Sequence, residues 1–510
     1  MFLQFLINLG LVLIGLASVA YILIHRQYTY WERKGVTYIK PESYLGTYAD
    51  AVSKKKPLAE VVSELYVKFK GESFGGVWEL FSPRLFLVTP DMVRDIMVKN
   101  FDAWSNRGLT SNPEVDPLSQ HIAMLDGKKW KVVRTKLTPT FTSARLKQMH
   151  YLVLECAKNL EKYLDTVVQK NEPIEAREVG AKYTTDVIGS CVFGIQMNSL
   201  NDEDAEFRKM GRKMGNQGNY WGRFVHLLQG SSPWLFHKLK LSLTPPDVEE
   251  FFLRITREAF EYRQKNNVLR HDFIDLLRNL KNTDQKLSED DVVFDDKLLA
   301  AQAFVFFGAG FETSATTIGY VMHELAVHQD IQDRLRKELR EMKAANNDEI
   351  SFDGLQGMKY LDMVFQETLR KHPIVPQLER VSVRPYELPG TNVVLPVGSK
   401  CIIPIYALHH DPEFWPNPSK FDPERFSEEG RAQQTPYTFM PFSTGPRTCI
   451  GSRFAEQQSK VGILTIIDKF RVILCEKSQN PLKYKNGAGV FLVPEGGFWI
   501  KMTPLGANDK

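Results

Sequence analysis

The sequence predicts a mainly α-helical protein with small β-sheets, preceded by a single transmembrane helix. Three observations favour this fold class: an uncharged apolar stretch over residues 1–24, long segments with apolar residues at helical spacing, and a few short β-rich segments. The composition agrees, because 43% of the 510 residues are hydrophobic and 25% are charged, as in ordinary globular proteins. Wholly disordered, collagen-like and coiled-coil chains are therefore excluded.

The first 24 residues carry no charge and are long enough to cross a bilayer as a helix. Arg26, Trp31 and Arg33 follow, and cationic and aromatic residues are typical of a membrane interface whose positive side faces the cytosol. We expect an anchor over 1–24 and a linker over 25–45. A signal peptide cleaved after Ala20 is one alternative, but no positive residue precedes the apolar stretch. A buried core helix is the other, but core helices are rarely so uniformly apolar.

The remainder, residues 46–510, shows no internal repeat and no clear linker, so we expect one large catalytic domain. Apolar spacing predicts helices at 145–170, 319–344 and 354–371. Composition predicts strands near 76–88, 384–405 and 490–503, with hairpins at Pro389-Gly390 and Val397-Gly398, and loops at 344–353 and 426–437.

Charge and cysteines limit the partners. Lys and Arg outnumber Asp and Glu by 65 to 61, and the net charge of +4 argues against a nucleic-acid role. The five cysteines are odd in number and show neither a CxxC pair nor a zinc-ligand spacing. We therefore expect no disulfide scaffold, and a reducing compartment.

One cysteine lies in an unusual setting. Phe442, Gly445, Arg447, Cys449 and Gly451 share a ten-residue loop that is followed by a helical pattern. A cysteine at a helix N-terminus receives backbone N–H groups and the positive helix end, which stabilise a thiolate. The glycines permit tight turns and close approach to a flat group, and the arginine offers charge to an anion. Such a thiolate suits a haem iron as its axial ligand.

The spacing F-x-x-G-x-R-x-C-x-G resembles the cysteine loop of the cytochrome P450 monooxygenases, with Ser443 where relatives usually carry Gly. The resemblance implies the cytochrome P450 fold and a haem b cofactor with Cys449 as the iron ligand. It also implies that Phe442, Arg447 and Gly451 contact this cofactor. The alternative interpretation is an ordinary buried cysteine in a turn.

Two arginines and a glutamate outside the loop match a second family feature. Glu367 and Arg370 are three residues apart on a helical pattern, and Arg425 follows in the sequence FDPERF. A surface ion pair is the alternative for the first two residues. The three resemble the structural Glu-Arg-Arg triad of the family, so we expect buried charges that support folding and haem retention.

The centre of a long apolar helical pattern carries an acid and a hydroxyl, Glu312 and Thr313, after Gly310. Burying an acid without a role is costly, and the threonine hydroxyl can bond a backbone carbonyl. The stretch resembles the oxygen-binding groove of the family, where these positions relay protons during oxygen activation. A glycine-notched core helix is the alternative.

Further positions match haem-carboxylate contacts of the family. Trp130 and Arg134 are four residues apart, so both can donate to one carboxylate, as in the family's W-x-x-x-R helix. Arg107 and Arg380 resemble two further carboxylate-binding arginines, with an exposed surface charge as the alternative. The resemblance also implies that a flavoprotein reductase docks near the basic residues of 128–136, with cytochrome b5 as a second candidate donor.

The stretches YTYWERKGV, LTPTFTS and AGFETSATT are most similar to insect members of the family's xenobiotic-oxidising, microsomal clan. Alignment to family segments suggests substrate contacts at Ile122, Phe304, Phe307, Val375 and Phe491, with core packing as the alternative for each.

The sequence as a whole predicts a monooxygenase on the cytosolic face of the endoplasmic reticulum. It would insert one oxygen atom from O2 into small apolar compounds, such as plant toxins, insecticides or endogenous lipids, with NADPH electrons from the reductase. A haem-thiolate isomerase or dehydratase, and a non-catalytic protein that sequesters apolar ligands, are the alternatives.

Overall fold

The computed structural model describes residues 2–202, 205–215, 222, 225, 228–230, 232–270, 272–283 and 292–506. The helices of the first half are α1 (Phe2–Tyr28), α2 (Tyr30–Arg33), α3 (Ala49–Val52), α4 (Leu58–Lys68), α5 (Pro90–Arg94), α6 (Gly127–Leu137), α7 (Ser143–Val168), α8 (Ala176–Ile188) and α9 (Glu206–Gly215). Those that follow are α10 (Pro233–Lys238), α11 (Pro246–Asn266), α12 (Phe273–Thr283), α13 (Asp296–Val327), α14 (Gln329–Ala344), α15 (Phe352–Gly357), α16 (Lys359–Lys371), α17 (Ile405–His410), α18 (Glu428–Ala432) and α19 (Ser452–Lys469).

The strands are β1 (Phe74–Glu79), β2 (Ser82–Leu87), β3 (Ile174–Glu175), β4 (Leu378–Val381), β5 (Tyr386–Glu387), β6 (Val394–Leu395), β7 (Lys400–Ile403), β8 (Phe470–Ile473) and β9 (Trp499–Pro504). They form a four-stranded sheet in the order β1-β2-β7-β4, a three-stranded sheet β3-β9-β8 and the pair β5-β6. The fold is thus mainly helical with small sheets, as predicted.

The 32-residue helix α13 is the centre of the helical part. Asp295 caps its N-terminus by accepting a hydrogen bond from the backbone N–H of Leu298 at 2.7 Å. The helix packs against α8, α11, α16 and α19, and most of its C-terminal half is buried. It is long and apolar enough to span a membrane, but its burial makes it a core helix.

The second helix that is long and apolar enough to span a membrane is α1, and most of its described apolar side chains are exposed. It extends to Tyr28, four residues beyond the predicted anchor. Residues 25–45 were expected to form a linker, but they pack on the four-stranded sheet. Trp31 is buried and donates a hydrogen bond from its indole N–H to the carbonyl of Val77 at 3.2 Å. Trp31 is therefore a core residue of the sheet, Tyr28, Tyr30 and Tyr38 pack against that core, and Tyr44 is exposed.

Three local predictions differ from the structure. The pattern over 319–344 is split at His328, whose backbone (φ −110°, ψ 83°) leaves the helical region, and that over 354–371 is split at Met358. No hairpin forms at Val397-Gly398, because β7 pairs in parallel with β2 and antiparallel with β4. Apolar spacing reports which face is buried, and it does not detect a change in the backbone at one residue.

Candidate functional site

Cys449 lies in the loop between residue 442 and helix α19. Its backbone N–H donates to the carbonyl of Phe442 at 2.9 Å, and the Thr448 hydroxyl donates to the same carbonyl at 3.1 Å. The turn between them needs Gly445, which has φ +71° and whose Cβ, if present, would lie 2.1 Å from the carbonyl oxygen of Met97. The loop geometry is therefore fixed by its glycine and by the backbone.

The Cys449 side chain faces an accessible space, although protein surrounds it on most sides. Desolvation raises the pKa of its thiol. The backbone N–H of Gly451 and the charges of Arg107 and Arg134 act in the opposite direction and favour the thiolate. The other cysteines are also free, and three of them (Cys156, Cys191 and Cys401) are buried.

The solvent-accessible side of helix α13 near its middle lies at Ala309 and Thr313, and we call it the accessible stripe. Ala309 is exposed in the middle of this core helix, and Thr313 is partly so. The Thr313 hydroxyl donates to the carbonyl of Ala309 at 2.6 Å, which leaves its oxygen as an acceptor. Helix α13 stays unbroken here, and Gly310 packs closely against the end of the Ile188 side chain, which a Cβ would approach to 2.5 Å.

Glu312 has a partner that sequence reasoning missed. Its carboxylate accepts a hydrogen bond from the Arg177 guanidinium of α8, whose Nε also donates to the Thr316 hydroxyl at 3.3 Å. The side chain of Arg177 is 37% exposed and that of Glu312 is 22% exposed. The acid next to Thr313 is thus held at a site that reaches toward the surface.

Four arginines surround the space near Cys449: Arg107, Arg134, Arg380 and Arg447. We call this set the arginine cluster. Burial and the neighbouring Arg107 lower the pKa of Arg447 to about 9 and that of Arg380 to about 10. Among the described residues, Asp126 is the carboxylate that acts most strongly on Arg107 and Arg447. The cluster therefore carries an excess of buried positive charge.

The N–H donors of the Arg447 guanidinium have acceptors within the protein. It donates to the carbonyls of Ser105 and Leu125 at 2.8 and 2.9 Å and to the Asp126 carboxylate at 3.2 Å. Its guanidinium carbon also lies 3.9 Å from the centre of the Trp130 ring. Its nearest described anion is therefore Asp126, and its contacts join the cysteine loop to the segment before α6.

The other donors near Cys449 are only partly satisfied. Arg107 donates to the carbonyl of Arg447 at 2.9 Å, and Arg380 donates to the carbonyl of Glu379 at 2.7 Å and to the Ser443 hydroxyl. In the described part of the chain, the Trp130 indole N–H and the Arg134 guanidinium donate no hydrogen bond, and the buried Nε of Arg380 has no acceptor. Because unsatisfied buried donors are costly, this arrangement fits a bound anionic group. Haem b, which the sequence resemblance implies, carries two carboxylates.

Gly451 supports this fit. A Cβ added there would meet only Phe141, at 3.8 Å, so the surrounding protein does not require glycine. Free space beside the backbone near Cys449 suits a flat cofactor. The residues present thus fit a haem with a thiolate ligand.

Ser443, which departs from the family pattern, has a compensating contact. Its φ of +67° is a left-handed conformation that glycine adopts more easily. Its hydroxyl oxygen accepts a hydrogen bond from Arg380 at 3.2 Å. The serine therefore adds backbone strain and gives one member of the arginine cluster an acceptor.

The structure brings Glu367, Arg370 and Arg425 together. Arg370 donates to both carboxylate oxygens of Glu367 at 2.7 and 2.8 Å, and to the carbonyls of His409 and Pro418. Arg425 lies 3.5 Å from the same carboxylate. Glu367 and Arg370 are fully buried. We call this group closed, because its charges are paired with each other and are out of reach of a ligand.

The predicted substrate positions differ in their burial. Ile122 is buried, Val375 and Phe304 are partly buried beside the helical core, and Phe491 is 37% exposed. Phe307 does not face open space, because its fully buried ring lies within 5.5 Å of the Phe207, Phe252 and Phe311 rings. Alignment to family segments suggested Phe307 as a substrate contact, and in the structure rings from α9 and α11 pack against it.

The segment that carries Arg107 and Ile122 is fastened to the start of α11. Asp116 is 1% exposed and accepts hydrogen bonds from the backbone N–H groups of Leu243 and Thr244, both at 3.1 Å. Sequence reasoning missed this residue, because an aspartate in a loop is most often solvated.

Comparison with known proteins agrees with this geometry. The family model "Cytochrome P450" matches residues 41–502. "Probable cytochrome P450 6a13" and "Cytochrome P450 6a2" of Drosophila melanogaster are 39% and 37% identical, over 93% and 97% of this chain and 95% and 99% of theirs. "Cytochrome P450 6A1" of Musca domestica is 37% identical over 96% of both chains. The chain therefore belongs to the cytochrome P450 family, whose members are monooxygenases that bind haem b through a cysteine thiolate.

Proposed function

We propose that this chain is a membrane-anchored monooxygenase that oxidises small apolar compounds, either xenobiotics such as plant toxins and insecticides or endogenous lipids. Its curated insect relatives and its apolar phenylalanine-rich interior support this substrate class. Helix α1 would hold it in the endoplasmic reticulum membrane with the catalytic domain in the cytosol.

The observation that carries the proposal is the group of incompletely paired donors around an accessible cysteine. Cys449 is the iron ligand in this proposal, and Arg107, Trp130, Arg134 and Arg380 hold the haem carboxylates. Bound haem supplies the oxidising chemistry that inserts one atom of O2 into the substrate.

The chain itself supplies proton positions on α13. The Thr313 oxygen faces the accessible stripe and can accept one hydrogen bond while its own proton points at Ala309. Glu312 is held by the partly exposed Arg177, so the pair connects the neighbourhood of Thr313 with the surface. We assign Thr313 and Glu312 to holding and moving protons during catalysis.

The electrons would come from NADPH through a reductase that docks on α6. Lys131 is exposed there, beside further basic residues of 128–136. This positive face suits an acidic flavoprotein, or cytochrome b5, because complementary charge accelerates encounter.

The test is the carbon monoxide difference spectrum of the dithionite-reduced protein and of two cysteine variants. The parent and Cys475→Ser, whose residue hydrogen-bonds with Ser478 away from the arginine cluster, should give the strongly red-shifted Soret band of a thiolate complex. Cys449→Ser should lose that band. A red-shifted band in Cys449→Ser would refute the ligand assignment, and turnover without NADPH and O2 would favour an isomerase.

A further inference from the structure

His121 is a buried side chain that none of the roles above uses. It lies just after the 3-10 turn Pro117–Gln120 and before α6, and it is 8% exposed. Gln302 of α13 fixes the backbone on both sides. Its amide oxygen accepts from the N–H of Ile122 at 2.9 Å, and its amide nitrogen donates to the carbonyl of Gln120 at 3.1 Å. The position of the ring is therefore set by the central helix.

Neither ring nitrogen of His121 has a hydrogen-bond partner in the described part of the chain. Nδ1 is fully buried, so an acceptor from outside the protein chain can reach the ring only at Nε2. The ring contacts Phe304 of α13, with 6.2 Å between ring centres. A buried, unpaired imidazole costs free energy comparable to a lost hydrogen bond. An acceptor from outside the protein chain would remove the part of this cost that arises at Nε2, in the tautomer that carries its proton there.

The surroundings indicate the charge of that acceptor. Burial and the positive charge of Arg107 hold the pKa of His121 near 4, so the ring is neutral at physiological pH and carries one N–H donor. Arg107 belongs to the arginine cluster, which has too few carboxylates. An anionic acceptor would satisfy the ring and the cluster together.

We propose that His121 donates a hydrogen bond to one of the two haem carboxylates, as a positioning residue additional to the arginine cluster and Trp130. This inference rests on the proposed binding of haem at Cys449. A neutral donor suits the place, because a lysine or arginine there would add to the excess positive charge.

The bond would affect both the retention and the potential of the haem. It anchors one edge of the cofactor, and it withdraws negative charge from the carboxylate. Loss of the donor should therefore release haem faster. It should also favour the oxidised state, and so make the reduction potential more negative.

The experiment compares His121→Phe with His121→Gln in the haem-loaded full chain. Phenylalanine keeps a ring against Phe304 but removes the donor, whereas the glutamine amide restores one. We expect His121→Phe to lose haem to apomyoglobin about tenfold faster than the parent. We also expect a more negative potential and a shifted carboxylate bending mode in resonance Raman spectra, with His121→Gln close to the parent.

Two results would overturn this role. If His121→Phe keeps the parental rate of haem loss and potential, His121 does not contact the haem carboxylates, and a change confined to substrate affinity would assign it to the substrate. If the packing variant Phe304→Leu changes all three measurements as much as His121→Phe does, ring packing explains the effect. Failure of haem ligation itself would instead appear as a parent protein without the red-shifted carbon monoxide band.

Discussion

Two buried groups of arginines differ in how their charge is balanced. Arg370 has both oxygens of Glu367 within 2.8 Å and adds two backbone carbonyls, so its charge is matched inside the protein. The arginine cluster near Cys449 has Asp126 as its carboxylate in the described chain, and donors of Arg134 and Arg380 have no acceptor.

We infer from this difference that the first group stabilises the fold and that the second recognises an anionic ligand. A closed group such as Glu367 and Arg370 has no spare donor or charge for a ligand, so its role is to hold the fold. An open group is unfavourable until an anion arrives, and its cost is recovered on binding. The cytochrome P450 cofactor, haem b, carries two carboxylates, and we propose that they complete the open group.

Breaking the closed group should give the largest effect. Arg370→Leu would remove both guanidinium hydrogen bonds of Glu367 and leave the buried carboxylate with only the Asp422 N–H at 3.0 Å and Arg425 at 3.5 Å. Breaking a buried pair in this way typically costs about 3–5 kcal/mol of stability. We expect little folded protein, measured by circular dichroism and thermal unfolding of the purified chain. The control is Arg425→Leu, at the edge of the group with 13% exposure, which should lose less. Normal stability of Arg370→Leu would show that the group is not structural.

Removing one charge from the open group near Cys449 should lower the affinity for haem and should not lower the stability of the haem-free protein. Arg380→Met replaces a buried, poorly compensated charge by an apolar side chain of similar length, so the apoprotein should be as stable as the parent or more so. Haem affinity should fall about tenfold or more, because a charge-assisted contact is lost. Thermal unfolding with and without haem measures both. A variant destabilised equally in both forms would contradict the distinction.

Substitutions of Thr313 test whether its hydroxyl takes part in proton transfer during catalysis. Thr313→Ala removes the hydroxyl that bonds Ala309, while Thr313→Ser keeps it. We expect the alanine variant to bind haem normally but to divert several-fold more NADPH into peroxide, and the serine variant to resemble the parent. Peroxide and product are measured together during turnover with reductase. Unchanged coupling in Thr313→Ala would remove Thr313 from the proton path.

The smallest effect is expected at Ser443, where strain and a contact oppose each other. Ser443→Gly relieves a left-handed backbone worth about 1 kcal/mol but deletes the acceptor of Arg380. Ser443→Ala deletes the acceptor and keeps the strain. The alanine variant should therefore unfold about 1 kcal/mol more easily than the glycine variant in urea. Equal stability of the two variants would mean that no strain is stored there.

Local motifs could be predicted from sequence, because their residues lie close together in the chain. The cysteine loop, the pair Glu367 and Arg370, and the helix carrying Trp130 and Arg134 each span ten residues or fewer. Their spacing alone restricts their geometry. The mainly helical fold with small sheets was predictable for the same reason, since its signals are periodic.

Contacts between distant segments could not be predicted. Arg177 meets Glu312 across 135 residues, and Gln302 fixes the backbone beside His121 across about 180. Phe307 lies on the expected helix face, but its neighbours α9 and α11 come from elsewhere in the chain. Trp31 lies in a segment that resembles a membrane-proximal linker, and only the sheet it packs on identifies it as core.

Titration of the haem-free protein with haem and with haem dimethyl ester tests most directly whether the arginine cluster is completed by the haem carboxylates. Both ligands carry the same ring and iron, but the ester has no carboxylate charge. If the cluster recognises these charges, haem should bind about 100-fold or more tightly than the ester, because two charge-assisted contacts are lost together. It should also raise the unfolding temperature more. Equal affinity and equal stabilisation would contradict this role for the arginines.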